Sequence, residues 1–516
     1  MLCSAGQEWW KTSALAATSN KPPSVPLCFV CPFLFQCSSN LHMSTMPTEK
    51  SEVKTKQAGA TPSEKRHALQ RAARSPLSLI FNFIVFPAFV VGAIYLQFSN
   101  HNFINCSLRE DCSTIEYRAQ KILRENPLID GHNDLFIVLR ALYGNHVYGD
   151  SFKDKFENGG LEQHTDIPRL EAGLSGGAFW SAFEPCPANG SDFSDANYAP
   201  IVKATLEQLD LYHRLGQAYP KYFTPTLTAA DARRSFKERG FISPVIIEGL
   251  HQIGNSISTL RLFHQLGVRY ATLTWNCHNI FADAAITINE KNKGVKSSPK
   301  WGGVSEAGRV LIEEMNRLGM IVDLSHVSVD TMADVLSGTK DGEWAGSIAP
   351  PIFSHSSAYA LCPHPRNVPD EILQLVKLRK AVVLVNFNPD FISCTPSNDG
   401  TGIPELYKPN NTLNQVVRHI RHIGELIGYD YVGLGTDYDG IEGTPEGLED
   451  VSKFPDLVAE LLRQGVSDAD VAKIVGLNVL RVWDEVDAVA EKLQKERLPA
   501  EDEIVIFPEG TSEMHV

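Results

Sequence analysis

The chain has 516 residues, 21% of them charged and 43% hydrophobic. That is long enough to bury a large core and too mixed for a disordered, collagen-like or multi-span membrane protein. Acids outnumber bases 61 to 47, a formal net charge of −14, which argues against a nucleic-acid binder.

The charge is uneven. Residues 1–76 hold nine Lys and Arg against four Asp and Glu, which leaves −19 on the other 440 residues. This segment reads as a disordered, basic cytoplasmic arm. Leu77 to Phe98 (LSLIFNFIVFPAFVVGAIYLQF) then runs for 22 residues without a charge, enough to cross a bilayer core as a helix even with Pro87 inside it. Lys65, Arg66, Arg71 and Arg74 precede the run and only Arg109 soon follows it. The expectation is a single-pass type II membrane protein, anchored through 77–98, with its body on the lumenal or extracellular side.

Residues 99–112 read as a stalk. Of ten cysteines, Cys106, Cys112, Cys186, Cys277, Cys362 and Cys394 follow the span, an even number in a compartment that permits disulfides. Asn105, Asn189 and Asn410 head the three glycosylation sequons beyond the span, and none precedes it.

From 113 to 492 apolar, strand-like runs alternate with amphipathic helical stretches. Strands are expected at 127–134, 176–183, 244–249, 268–275, 320–328, 350–357, 381–387 and 431–440. Helical stretches such as STLRLFHQLG, EAGRVLIEEMNRLG, DEILQLVKLRK and LNQVVRHIRHIGELIG separate most of them. Eight strands in this alternation predict an α/β fold, a (β/α)8 TIM-type barrel enlarged by insertions, with a doubly wound open sheet as the alternative. Residues 493–516 read as a polar tail.

Ligand-type side chains stand at the ends of these strands, where barrel enzymes place their sites. The first strand ends in His132-Asn133-Asp134, and positions i and i+2 of a strand share a side, so His132 and Asp134 can hold one metal. Glu248 ends the third strand, His326 the fifth, His355 the sixth, and Asp437 the eighth. One histidine at a strand end is usually a hydrogen-bonded structural residue, and an Asp beside Gly usually closes a turn. Six such residues at matching ends of five strands point to a metal centre of the metal-dependent hydrolase kind. Nitrogen and oxygen donors without thiolates suit zinc. Two zinc ions sharing Glu248 and a bridging hydroxide form a nucleophile near neutral pH. No serine-nucleophile elbow or phosphate-binding loop accompanies them.

At DGHNDL (130–135), HTDIPRLEAGLSGGAFWS (164–181), EGLHQI (248–253), DLSHVS (323–328), FSHSSAYALCPHPRNVPD (353–370) and VGLGTDYDGIEGTPEGLEDVSKFPDL (432–457) the sequence resembles the membrane (renal) dipeptidase family. The resemblance implies a zinc dipeptidase. It places one zinc on His132 and Asp134, a second on His326 and His355, and Glu248 between them. It makes Arg366 the contact for the substrate carboxylate and Asp437 the proton-handling group. It also implies the disulfides Cys186–Cys277 and Cys362–Cys394, and a homodimer. One departure stands out: Trp275, in Leu273-Thr274-Trp275-Asn276, occupies the position of a family histidine that contacts substrate. Tryptophan has one N–H and carries no charge. Two rivals follow from it, a metal-stabilised binding protein with little turnover and an amide hydrolase with a narrower substrate.

Overall fold

The computed structural model describes residues 114–502. The basic arm, the 77–98 span, the stalk, Asn105, Cys106 and Cys112 lie outside the described residues, as does the tail from 503. Among the described residues no helix is long and apolar enough to cross a membrane.

All eight expected strands form, each shorter than its apolar run. In chain order they are β1 (Leu128–Asn133), β2 (Ser175–Ser181), β3 (Val245–Glu248), β4 (Val268–Thr272), β5 (Ile321–Asp323), β6 (Ile352–Phe353), β7 (Val382–Val385) and β8 (Val432–Leu434). They pair in parallel in that order. The ring closes at its carboxyl end, where the Asp437 N–H donates to the His132 carbonyl at 3.1 Å and the Asp134 N–H donates to the Tyr438 carbonyl at 2.9 Å. Asp130 reinforces this seam by accepting from the N–H and hydroxyl of Thr436 at 2.7 and 2.6 Å. The barrel therefore forms, and the open-sheet alternative does not.

Parallel strands need long return connections, and amphipathic helices supply them. Ile257–Gln265, Glu306–Leu318, Asp370–Arg379 and Leu413–Ile427 each follow a strand, and Ser256, Ser305 and Thr412 cap three of them through side-chain oxygens. Ile129, Phe179, Ile246, Tyr270, Ile321, Ile352, Val382 and Leu384 form one buried cluster with Trp483, contributed by all the strands but β8. This packing fills the barrel as side-chain layers do in the fold generally. Gly131 has no room for a side chain: a Cβ there would lie 2.2 Å from Leu384 and 2.8 Å from the Ser354 carbonyl.

Insertions rise from the carboxyl end. The β4–β5 connection carries a hairpin (Ile286–Ile288 with Gly294–Lys296), and the β7–β8 connection a second pair (Cys394–Thr395 with Glu405–Leu406). They meet where the Lys296 N–H donates to the Thr401 carbonyl at 2.8 Å. The last helix runs Asn478–Glu496, so the segment read as tail begins inside it. Residues 497–502 fold back on the body, and Asp502 accepts the first N–H groups of the 257–265 helix at 3.1 and 2.7 Å.

Candidate metal centre

The strand-end residues singled out in the sequence converge. His132 Nε2 lies 3.1 Å from Asp134 Oδ2 and 3.6 Å from Glu248 Oε2. The other Glu248 oxygen, Oε1, lies 2.9 Å from His326 Nε2 and 3.4 Å from His355 Nε2. Asp437 completes a group of potential ligand atoms with His132 and Asp134. Every one of these side chains is buried, none more than 8% exposed.

His326 and Asp437 hold left-handed backbone at φ 67° and 65°. That conformation costs a non-glycine residue on the order of 1–3 kcal/mol and concentrates at functional sites. Each turn aims its side chain back over the barrel mouth. Gly440 keeps the floor open beside them, since a Cβ there would lie 2.2 Å from Asp134 Oδ2 and 2.9 Å from Asp437 Oδ1.

Burying three carboxylates together raises their demand for positive charge. Burial pushes Asp437 up to about 7, with Asp134 and Glu248 adding to it. Burial raises Asp134 as well. Glu248 is held well below the usual carboxylate range despite its burial, by His132 and His326. Burial opposes a charged His132, yet Tyr270, Asp134 and Glu248 outweigh it and raise that imidazole. Burial and the charge of Arg366 bring His326 down to about 3. A cation would answer the same demand.

The donor set fits metal ions. His326 Nε2 and His355 Nε2 lie 3.0 Å apart, close to the roughly 3.3 Å separation of two nitrogens each about 2.05 Å from one tetrahedral zinc. Asp134 Oδ1 is a buried oxygen with no hydrogen-bond partner. Imidazole and carboxylate donors without sulfur suit zinc. A second grouping, Cys186, Cys277 and His251, offers no thiolates, because the two cysteines form a disulfide.

Arg366 is 3% exposed, and its Nε and Nη2 have no partner. Its guanidinium lies over the Phe391 ring, 4.9 Å from the centroid. Burial lowers it to about 10, so it stays cationic at neutral pH. Trp275 is half-buried, 4.9 Å from the Phe183 ring and 6.1 Å from His326 between centroids. His278, the histidine three residues on, lies 3.0 Å from Asp283. Both disulfides implied by the resemblance are formed, and Asn189 and Asn410 are exposed.

Tyr270, Asn276, Ser354 and Asn386 contact this cluster and Asp323 stands behind Ser354, and the sequence reading gives none of the five a role. Tyr270, Asn276 and Ser354 touch the Nδ1 atoms of His132, His326 and His355 at 2.7, 3.1 and 2.8 Å. Asp323 accepts from Ser354 Oγ at 2.7 Å, and Asn386 donates to Asp437 Oδ2 at 3.0 Å. Asp323 and Ser354 carry a faint signal, polar residues in strand ends one to three places before a ligand histidine.

Comparisons with known proteins agree with this chemistry. The profile of the membrane dipeptidase family, peptidase family M19, matches residues 116–497. Over 390 residues the chain is 43% identical to Dipeptidase aclJ of Aspergillus oryzae, covering 75% of this chain and 84% of that one. It is also 43% identical over 396 residues to an uncharacterized dipeptidase of Schizosaccharomyces pombe, covering 76% and 88%. Its fold resembles that of a metallo peptidase from Rhodobacter sphaeroides, solved with a phosphinate mimic of the dipeptide L-Ala-D-Ala. The TM-score is 0.57 at 24% identity, over 70% of this chain and 99% of that one.

Proposed function

This chain belongs to the membrane dipeptidase family, and on that premise we propose that it hydrolyses dipeptides at a centre of two zinc ions. The observation that carries the reading is the disposition of Glu248. One of its oxygens faces His132 at 3.6 Å, and the other faces His326 and His355 at 2.9 and 3.4 Å. His132 and Asp134 would hold one ion, His326 and His355 the other, and Glu248 both. When bound, such a pair activates water near neutral pH and polarises the scissile carbonyl.

The remaining work falls to the chain's own groups. Arg366 takes the substrate's terminal carboxylate through its unpartnered N–H groups, a geometry that suits a planar fork. Asp437, raised to about 7, is poised to exchange a proton at neutral pH and delivers one to the leaving amine. Asn386 holds one of its oxygens and leaves the other for the reacting group. Trp275 and Phe183 form an apolar wall beside His326, against which a substrate side chain packs.

The type II topology belongs to the same proposal, with the barrel lumenal or extracellular and sugars on Asn105, Asn189 and Asn410. The two formed disulfides support it, since oxidising compartments favour them. A homodimer is the expected assembly.

Replacing Glu248 or His326 with Ala should abolish zinc loading, read as metal content of the purified protein. Normal zinc-dependent dipeptide hydrolysis by either variant would overturn the assignment. Trp275→His tests the wall: a shift in side-chain preference is expected, and an unchanged substrate profile contradicts that role.

A further inference from the structure

We propose that reduction of the Cys186–Cys277 bridge opens a further cation site, in which the two sulfurs and His251 hold a thiophilic ion of the zinc class. The site shares no residue with the centre described above and does not depend on the dipeptidase reading.

Three neighbouring strands bring the ligands together. Cys186 lies five residues past the end of β2, and Cys277 five past the end of β4. His251 stands in the short helix Leu250–Ile253 after β3. Because β2, β3 and β4 are adjacent in the sheet, the connections that leave them meet. The two sulfurs and one His251 ring nitrogen all lie within 4.8 Å of one another. Bonds of about 2.3 Å to sulfur and about 2.05 Å to nitrogen around a tetrahedral ion set such atoms about 3.6–3.8 Å apart. The cysteine Cα atoms are 6.3 Å apart, so side-chain rotation alone lets the freed sulfurs separate that far.

His251 is the residue that points to a ligand. It is fully buried. Its Nε2 meets the Glu184 carbonyl at 2.8 Å, while Nδ1 has no hydrogen-bond partner. An unused polar atom in the interior is costly and calls for a partner. Burial lowers this imidazole to about 4, which keeps it in the neutral form that binds metals. Either ring nitrogen can carry the proton, so an ion on one leaves the proton to the other. Thiolates add the soft donors that the catalytic group lacks. The conversion balances. A dithiol delivers two electrons and two protons and leaves as its own disulfide, and the incoming ion displaces the two thiol protons to solvent. Cys186 is half-buried and Cys277 4% exposed, so the reductant enters on the Cys186 side. Bridge and ion are then alternative clasps between the loops that carry Phe183 and Trp275.

The test adds cobalt(II) to the full chain before and after reduction by a phosphine, which takes up water oxygen and leaves as its oxide. Cobalt bound to sulfur absorbs strongly in the near ultraviolet, and the catalytic residues include no sulfur, so that centre adds nothing to the band. The chain's other cysteines give a background common to all variants. Reduced native protein should bind about one cobalt ion more per chain than the oxidised protein, with a band above that of Cys186→Ala or Cys277→Ala. His251→Gln keeps a donor for the Glu184 carbonyl and retains the bridge for folding. It should weaken the sulfur-bound cobalt about 10²–10³-fold. A native band no stronger than that of the cysteine variants would overturn the proposal. So would a His251→Gln protein that holds cobalt as tightly as the native one, and this arm decides the matter even where a cysteine variant fails to fold.

Discussion

Arg366 and Asp437 are both buried and of opposite charge, and burial acts against the charge of each. A buried guanidinium with two free donors is costly unless a carboxylate arrives to satisfy it. Arg366→Lys keeps the charge but loses the fork, so kcat/KM for a dipeptide should fall about 10–100-fold, mostly through KM. A loss confined to kcat would contradict a carboxylate-binding role. Asp437→Asn keeps an oxygen for local hydrogen bonding but cannot carry the proton. Its kcat should fall by about 10²–10⁴ while zinc content stays close to native, measured on the same preparation. Zinc loss equal to that of Glu248→Ala would make Asp437 a ligand instead.

The connections between elements hold these residues in place. Asn367 Nδ2 donates to the carbonyls of Cys362 and Phe391 at 2.8 and 2.7 Å, so the Cys362–Cys394 disulfide and the Phe391 ring form one bracket under Arg366. Replacing both cysteines with Ala should lower stability by about 2–4 kcal/mol and raise KM, read by denaturant unfolding and kinetics. An unchanged KM would separate the disulfide from the carboxylate clamp.

The eight strands were legible because apolar runs alternate with amphipathic helical stretches, and five of those runs, the first, third, fifth, sixth and eighth, end in a candidate ligand. Their lengths were not. The run 320–328 reads as one strand, yet β5 stops at Asp323, because the backbone must turn left-handed at His326 to aim it inward. The run 431–440 likewise ends at Leu434, before the positive φ of Asp437 and Asp439. Metal-ligand types announce themselves by residue identity and spacing. Tyr270 and Asn276 do not, since a tyrosine in a strand and an asparagine in a loop gain a role only through a contact made across the barrel.

For the whole molecule, buried neutral histidines set the acid limit. His251 and His419 are fully buried, and burial lowers each to about 4. His419 accepts from the Ala358 N–H at 3.0 Å and donates to the Ile392 carbonyl at 2.8 Å, tying the Arg366 loop to the helical layer. Above pH 6.5 neither folded nor unfolded chain protonates them. Below it the unfolded chain gains protons that the folded one refuses, so stability falls with pH from about 6.5 down to about 4. Each removes about 3 kcal/mol of stability across that window. His419→Gln should flatten the slope of stability against pH, measured by urea unfolding at several pH values. An unaltered slope would place the acid limit elsewhere.

The central claim, a dipeptidase whose activity depends on ions held by His132, Asp134, Glu248, His326 and His355, meets its most direct test in one assay. The purified full chain is given a panel of dipeptides before and after chelation, and again after zinc is returned. Hydrolysis that the chelator removes and zinc restores is the predicted result. Hydrolysis that persists in the metal-free protein, or none from folded protein carrying two zinc ions, would contradict it.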